Sequence, residues 1–189
     1  NTVGCGAGDA QRGNSGSSDE MLILFLYDAM RRINNALGKG EEEYYRALAS
    51  SFMLSADNAH AVHPNHPAKT DVNNCVYMNE GIVVKSHAGQ KYTSDAVSIA
   101  VFKGLCKKAG VPVQFFSNRS DTAGGSTLGN IAMAQVSMNS VDIGLPQLAM
   151  HSSYETAGVK DTAYMIKVME EFFNSHIEEM SGHILKVTK

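Results

Sequence analysis

Apolar positions along the chain fall into stretches of helical period and short continuous runs, separated by long polar segments. From Asp19 onward, Leu22, Leu26, Met30, Ile33 and Leu37 recur on one helical face, with Arg31, Arg32 and Asn34 off it. That spacing predicts a helix stopped by Gly38 and Gly40. Glu41–Ser51 reads as a second, shorter helix whose first turn carries acidic residues, where the helix dipole favours them. Phe52–Ala56 is a buried strand, and the polar stretch after it, with Pro64 and Pro67, is a loop reaching Glu80. Gly81–Lys85 is a second strand. Thr93–Ala109 is an amphipathic helix capped by Thr93 or Ser94, with Val97, Val101, Phe102 and Leu105 on its apolar face and Gly110 at its end. Val111–Phe116 is a third strand, Ser117–Gly125 a polar loop, and Ser126–Val136 a helix with Ser126 near its N-cap. Val141–Gly144 is a fourth strand, Leu145–Ser153 a loop, and Lys160–Phe173 a helix with Met165, Val168, Met169, Phe172 and Phe173 inward. Residues 1–19, rich in glycine and serine, show neither period and are expected to form a flexible lead-in. Gly4-Cys5-Gly6-Ala7-Gly8 within it is not a GxGxxG loop.

Strands alternating with helices imply a layered α/β fold, its mainly parallel or mixed sheet flanked by helices, in a single domain over 1–189. Functional groups in such sheets sit in loops beyond strand carboxyl ends. Asp57–Glu80, Ser117–Gly125 and Leu145–Ser153 are the loops that qualify.

Composition narrows the classes. A chain of 189 residues, 43% hydrophobic and 19% charged, can bury one core and is not a disordered polypeptide. A net charge of -3 without a basic block argues against nucleic acid and against a polybasic membrane anchor. The longest apolar run, Met21–Tyr27, is too short to span a bilayer. Cys5, Cys75 and Cys106 are odd in number and lack CxxC spacing, which disfavours a disulfide framework and suits a reducing compartment.

The densest chemistry lies in Asp57-Asn58-Ala59-His60-Ala61-Val62-His63-Pro64-Asn65-His66, where acid and imidazole recur every third residue. Carboxylate and neutral imidazole suit zinc, manganese or cobalt. A loop whose histidines only bond backbone carbonyls would read the same way. His151 lies just beyond the fourth strand, so Asp57 and His151 could meet at neighbouring strand ends, although two ligands do not complete a metal site. Gly124-Gly125 before a helix could expose N–H groups to an anion, or could be a tight turn before an ordinary cap. Lys85 ends a strand and is either a specificity group or a solvated lysine. No GxSxG or HExxH motif occurs.

Three segments resemble, in order and spacing, the M18 family of metallo-aminopeptidases, which includes the aspartyl aminopeptidases. They are Ser55–Asn65; Asn118–Asp121 with Gly125–Gly129; and Val141–Ser152. The similarity covers about residues 22–175. It implies an α/β zinc exopeptidase of the phosphorylase/hydrolase-like type, incomplete in this chain, with two metal ions, usually zinc, manganese or cobalt being alternatives. It also implies peptide substrates with an N-terminal, often acidic, residue, a cytoplasmic setting and a homo-oligomer, typically a dodecamer. By motif position Asp57 and His151 match metal ligands. His63 matches a histidine offered to a neighbouring subunit's active site, Lys85 a lysine of the substrate side-chain pocket, and His60 a residue supporting the ligands without binding metal.

The chain departs from the family pattern at several positions. The family's upstream His and Asp ligands have no counterpart here, and its adjacent glutamates, general base and ligand, align with Asn1 and Thr2. Asn130 stands for a usual proline and Thr70 for a usual histidine. Two outcomes are therefore expected: the C-terminal part of a catalytic domain from an active parent, or a catalytically incomplete fragment keeping only fold and assembly surfaces.

Overall fold

Short runs rich in β-branched and aromatic residues form the strands, and segments of helical period cover them. The computed structural model describes residues 2–6, 16–179 and 185–188. The chain begins with β1 (Thr2–Gly6), α1 (Gly16–Ala36), α2 (Glu41–Ala49), β2 (Phe52–Ala56) and β3 (Ala59–His60). After a 3-10 turn at Pro67–Lys69 come β4 (Ile82–Lys85), α3 (Ala96–Ala109), β5 (Val113–Phe116) and α4 (Leu128–Gln135). Then follow β6 (Asn139–Gly144), β7 (Pro146–Leu148), β8 (Thr156–Ala157), α5 (Val159–Phe173), β9 (His176–Glu179) and β10 (Leu185–Thr188).

The main sheet has the order β1-β2-β6-β4-β5, with β3-β7-β8 and β9-β10 as smaller sheets. β1, β2 and β6 run parallel, as do β4 and β5, but β4 is antiparallel to β6, so the sheet is mixed. This register assembles the site. Ser55 pairs with Asp142 across β2 and β6, and Val84 pairs with Ile143 across β4 and β6. Because side chains alternate faces, Ser55, Asp57 and Asp142 project to one side, with Lys85 at the same level.

Alternation also splits the core. Phe52 and Leu54 join Ile82, Val84, Val141 and Ile143 against Val101, Phe102 and Leu105 of α3 and Val168 and Phe172 of α5. Met53 faces the other way, onto Ile23, Tyr44, Leu48 and Ala132 of α1, α2 and α4. Burying Phe102 and Phe172 completely contributes about 2–3 kcal/mol each.

Several expectations shift. Thr2–Gly6 is a strand and helix α1 opens at Gly16, where a lead-in without strand or helix was expected; residues 1 and 7–15 lie outside the described residues. Helix α1 buries Ile23 and packs Leu26, Tyr27 and Met30, while Leu22, Ile33 and Leu37 are exposed. Its turns over Met21–Tyr27 are apolar all round, so period alone could not select the face. Asp95, not Thr93 or Ser94, caps α3, accepting from the Ser98 N–H at 2.7 Å. Thr93 and Ser94 bind Asp142 instead. Val97 and Phe173, expected inward, are exposed. Helix α4 takes Thr127 as its N-cap, next to Ser126, and begins at Leu128. The loops expected after β2 and β6 contain β3 and β7, which pair in parallel.

Candidate functional site

A cleft of ≈ 530 Å³ opens where the ends of β2, β4 and β7 meet the loop before α4. Asp57, His60, His63, Lys85 and His151 all line it, so the five residues singled out in the sequence come together.

Asp57 leaves β2 with its N–H donating to the Ile143 carbonyl at 2.9 Å, which extends the ladder one residue past the strand. Gly144 makes room for this path, since a Cβ there would sit 1.8 Å from the Asp57 carbonyl oxygen. The chain then threads past β7, with Ala59 N–H donating to Leu145 and Ala61 N–H to Gln147. His151 is held in a turn. Ala149 and His151 both adopt left-handed backbone (φ 55 and 67), uncommon for residues with side chains. The His151 N–H donates to Glu155 Oε1 at 2.6 Å. His63 is half-buried, its Nδ1 accepting from the Asn65 N–H at 3.1 Å and its ring 5.1 Å from that of His66.

Lys85 is no solvated strand end. It is 2% exposed. Its Nζ lies 3.7 Å from Asp57 Oδ2, donates to the Asn58 carbonyl at 3.3 Å, and stands 5.2 Å from the centre of the Tyr92 ring. Burial pushes its pKa below the usual lysine value, against the opposing pull of Asp57 and Asp142. His60 opens onto the cleft, yet the protein around it, then the nearby His151 and Lys85, lowers its pKa; Asp57 acts the other way. His60 thus favours its neutral form, suited to accepting or donating a hydrogen bond beside the ligand-like pair.

Sequence reasoning missed three contributors. Asp142, fully buried, accepts from the Thr93 N–H at 2.6 Å and the Thr93 hydroxyl at 3.0 Å, and its charge supports that of Lys85. A carboxylate inside the apolar run Val141–Gly144 was the available signal. Tyr92 stacks edge-on with Phe116 and His87 over the lysine, and burial raises its pKa. Arg119 joins two rims of the cleft: its guanidinium forks onto Asp121 and also donates to the Ala68 carbonyl. That fork raises the Arg119 pKa and holds the Asp121 carboxyl down at about 2.

As metal ligands, Asp57 and His151 bring an oxygen and an imidazole to one cleft, the donor types that zinc takes. They are too few. Among the described residues no group of three or more His, Cys, Asp or Glu side chains is placed to hold a metal ion, and a zinc site needs three or four protein donors. The residues fit part of a ligand set, not a whole one. No helix among the described residues is long and apolar enough to cross a membrane.

Comparison with known proteins places this geometry. Residues 13–173 match the sequence profile of "Aminopeptidase I zinc metalloprotease (M18)", and the chain belongs to that family. It is 50% identical over 150 residues to the "Probable M18 family aminopeptidase 2" of Clostridium acetobutylicum, covering 79% of this chain and 35% of that protein. A chain in the cryo-EM structure of the Ape4 and Nbr1 complex superposes with a TM-score of 0.76 at 38% identity, over 79% of this chain and 28% of its own. The S. cerevisiae mApe1 dodecamer gives a TM-score of 0.61 at 29% identity, over 69% and 28%. The chain thus spans about a third of the length of curated relatives such as that of C. acetobutylicum.

Proposed function

We propose that this M18 family member is the C-terminal portion, as one domain over 1–189, of the catalytic domain of a zinc-dependent aminopeptidase. The enzyme removes N-terminal, preferentially acidic, residues from peptides. Lys85 carries this reading: a buried ammonium, incompletely compensated, facing a cleft. A substrate carboxylate entering that cleft would supply the charge that burial denies the lysine. Tyr92 covers the lysine and restricts water around it. Asp57 and His151 contribute two ligands to a centre of two zinc ions, with manganese or cobalt as alternatives, completed by donors outside the described residues. Such a metal, when bound, polarises a carbonyl and acidifies water. His60 orients this ligand pair, and His63 faces the active site of a neighbouring subunit in a homo-oligomer, a dodecamer like that named for mApe1. The setting is the cytoplasm, with no nucleic-acid or membrane partner.

The test is hydrolysis by the full-length protein of aspartyl and glutamyl arylamides against their leucyl and alanyl counterparts. Zinc-dependent cleavage favouring the acidic pair is expected. No cleavage of any of them would overturn the aminopeptidase reading and favour the incomplete fragment.

A further inference from the structure

Tyr92 lies over the Lys85 ammonium, and the chain on either side of it is fastened to different elements. Thr93, the next residue, is tied to β6: its N–H donates to Asp142 Oδ2 at 2.6 Å and its hydroxyl lies 3.0 Å from Ser140 Oγ. Ser94 Oγ accepts from the Asp142 N–H at 2.9 Å. The side chain of Asn118 holds the Tyr92 phenol. The residues before Tyr92 depend on less. Gln90 adopts left-handed backbone (φ 54), a region that keeps a residue with a side chain only when its surroundings fix it. Its N–H closes a turn onto the His87 carbonyl at 2.9 Å, within the same loop. Between His87 and Tyr92, among the described residues, the hydrogen bonds to another element come from one side chain, Asn130 in the first turn of α4.

Asn130 Nδ2 donates to the Lys91 carbonyl at 2.5 Å and reaches the Gln90 carbonyl at 3.4 Å, with Ser126 Oγ at 3.3 Å. Two of these three oxygens are carbonyls, which only accept, so the amide presents its nitrogen to them. The bond joins the loop over the lysine to the helix that follows the glycine-rich rim. Asn130 stands where the family pattern has a proline, which has no donor for these carbonyls, so the tie is a feature of this chain. Asn130 stands outside the lining of the cleft and acts on it through the loop.

We propose that Asn130 is a positioning residue: by holding the Gln90 and Lys91 carbonyls it pins Tyr92 over Lys85 and so sharpens the preference for an acidic first side chain. The inference rests on the aminopeptidase reading and deepens it. Without the tie, the loop opens about its Thr93 anchor and water reaches the ammonium. A hydrated lysine attracts a carboxylate less strongly, whereas a neutral side chain draws nothing from the lysine and is unaffected.

Two variants of the full-length protein test this. Asn130→Ala removes the donor and suits a helix. Asn130→Asp keeps the shape but turns a carboxylate onto two carbonyls, so it should open the loop further than alanine does. Amide hydrogen exchange over residues 88–92 should quicken about fivefold in Asn130→Ala, equivalent to about 1 kcal/mol for the lost bond, and more in Asn130→Asp, with α3 unchanged. In arylamide kinetics, KM for the glutamyl substrate should rise about threefold in Asn130→Ala at unchanged kcat, while both constants for the leucyl substrate stay as in wild type. Loop exchange equal to wild type, or no faster in Asn130→Asp than in Asn130→Ala, overturns the tie. Quickened exchange with both substrates losing equally, or with neither losing, overturns its part in specificity. If the wild type cleaves neither arylamide, the aminopeptidase reading falls, and exchange alone decides whether Asn130 pins the loop.

Discussion

Lys85→Met replaces the most enclosed ammonium of the cleft with an unbranched apolar side chain of similar length. Its partner Asp57 stands 3.7 Å away and its side chain is 31% exposed, so water weakens the attraction. At that distance an ion pair in a surface-like dielectric is worth about 4 kcal/mol. Burial nevertheless remains the largest influence on Lys85, and its direction is to disfavour the charge. Replacing both members of a buried pair with apolar groups can be stabilising, but removing one leaves the other uncompensated at a cost of about 3–5 kcal/mol, and the low end applies here because Asp57 is partly exposed and the penalty of burying the lysine is relieved. A loss of about 3 kcal/mol lowers the melting temperature of a chain this size by roughly 6–12 °C. Arylamide kinetics on the same variant should show a second cost: acidic substrates lose about a hundredfold in kcat/KM, equivalent to about 2.7 kcal/mol, and neutral ones far less. A melting temperature at or above that of wild type would refute the reasoning about the pair. Equal losses on acidic and neutral substrates would take Lys85 out of the pocket.

Other outcomes follow from groups away from the lysine. Asp161, fully buried, accepts from the Asn79 N–H at 2.5 Å and the Gly81 N–H at 2.9 Å, fixing the chain as it enters β4. Asp161→Ala strands both donors and should cost about 3 kcal/mol by urea unfolding, and a cost below 1 kcal/mol would contradict that role. Burial pushes the Cys106 thiol up to about 12 from an ordinary 9.0, so its stabilising share is complete below pH 9 and is lost as pH rises toward 12. Urea unfolding at pH 8 and pH 10 should show a smaller loss of stability in Cys106→Ala than in wild type; equal losses would contradict the shift. In the native protein at pH 8, alkylation should find the exposed Cys75 well before Cys106.

The sequence carried the elements that are short and uniformly apolar. Phe52–Ala56 and Ile82–Lys85 are strands because their neighbours leave no other assignment, and Gly110, at φ 66, ends α3 as its position suggests. It did not carry the buried face of α1, because Met21–Tyr27 is apolar in every direction and only the packed partner decides. The same holds for the site. Asp57, His60 and His63 stand in one dense cluster, His151 and Lys85 stand out as strand-end candidates, and the resemblance gave all five their roles. Asp142 and Tyr92 are ordinary residue types at unremarkable spacing. Their importance comes from burial and from register across strands, neither of which composition encodes. Lys85 shows the difference best: the residues left open whether it was solvated, and the sheet closes over it.

Zinc content of the full-length protein measured by inductively coupled plasma mass spectrometry, for wild type beside Asp57→Asn and His151→Ala, tests the central claim most directly. Two zinc ions per subunit in wild type, with loss of at least one in each variant, is the predicted result. Unchanged zinc in both variants, or none in the wild type, would contradict it.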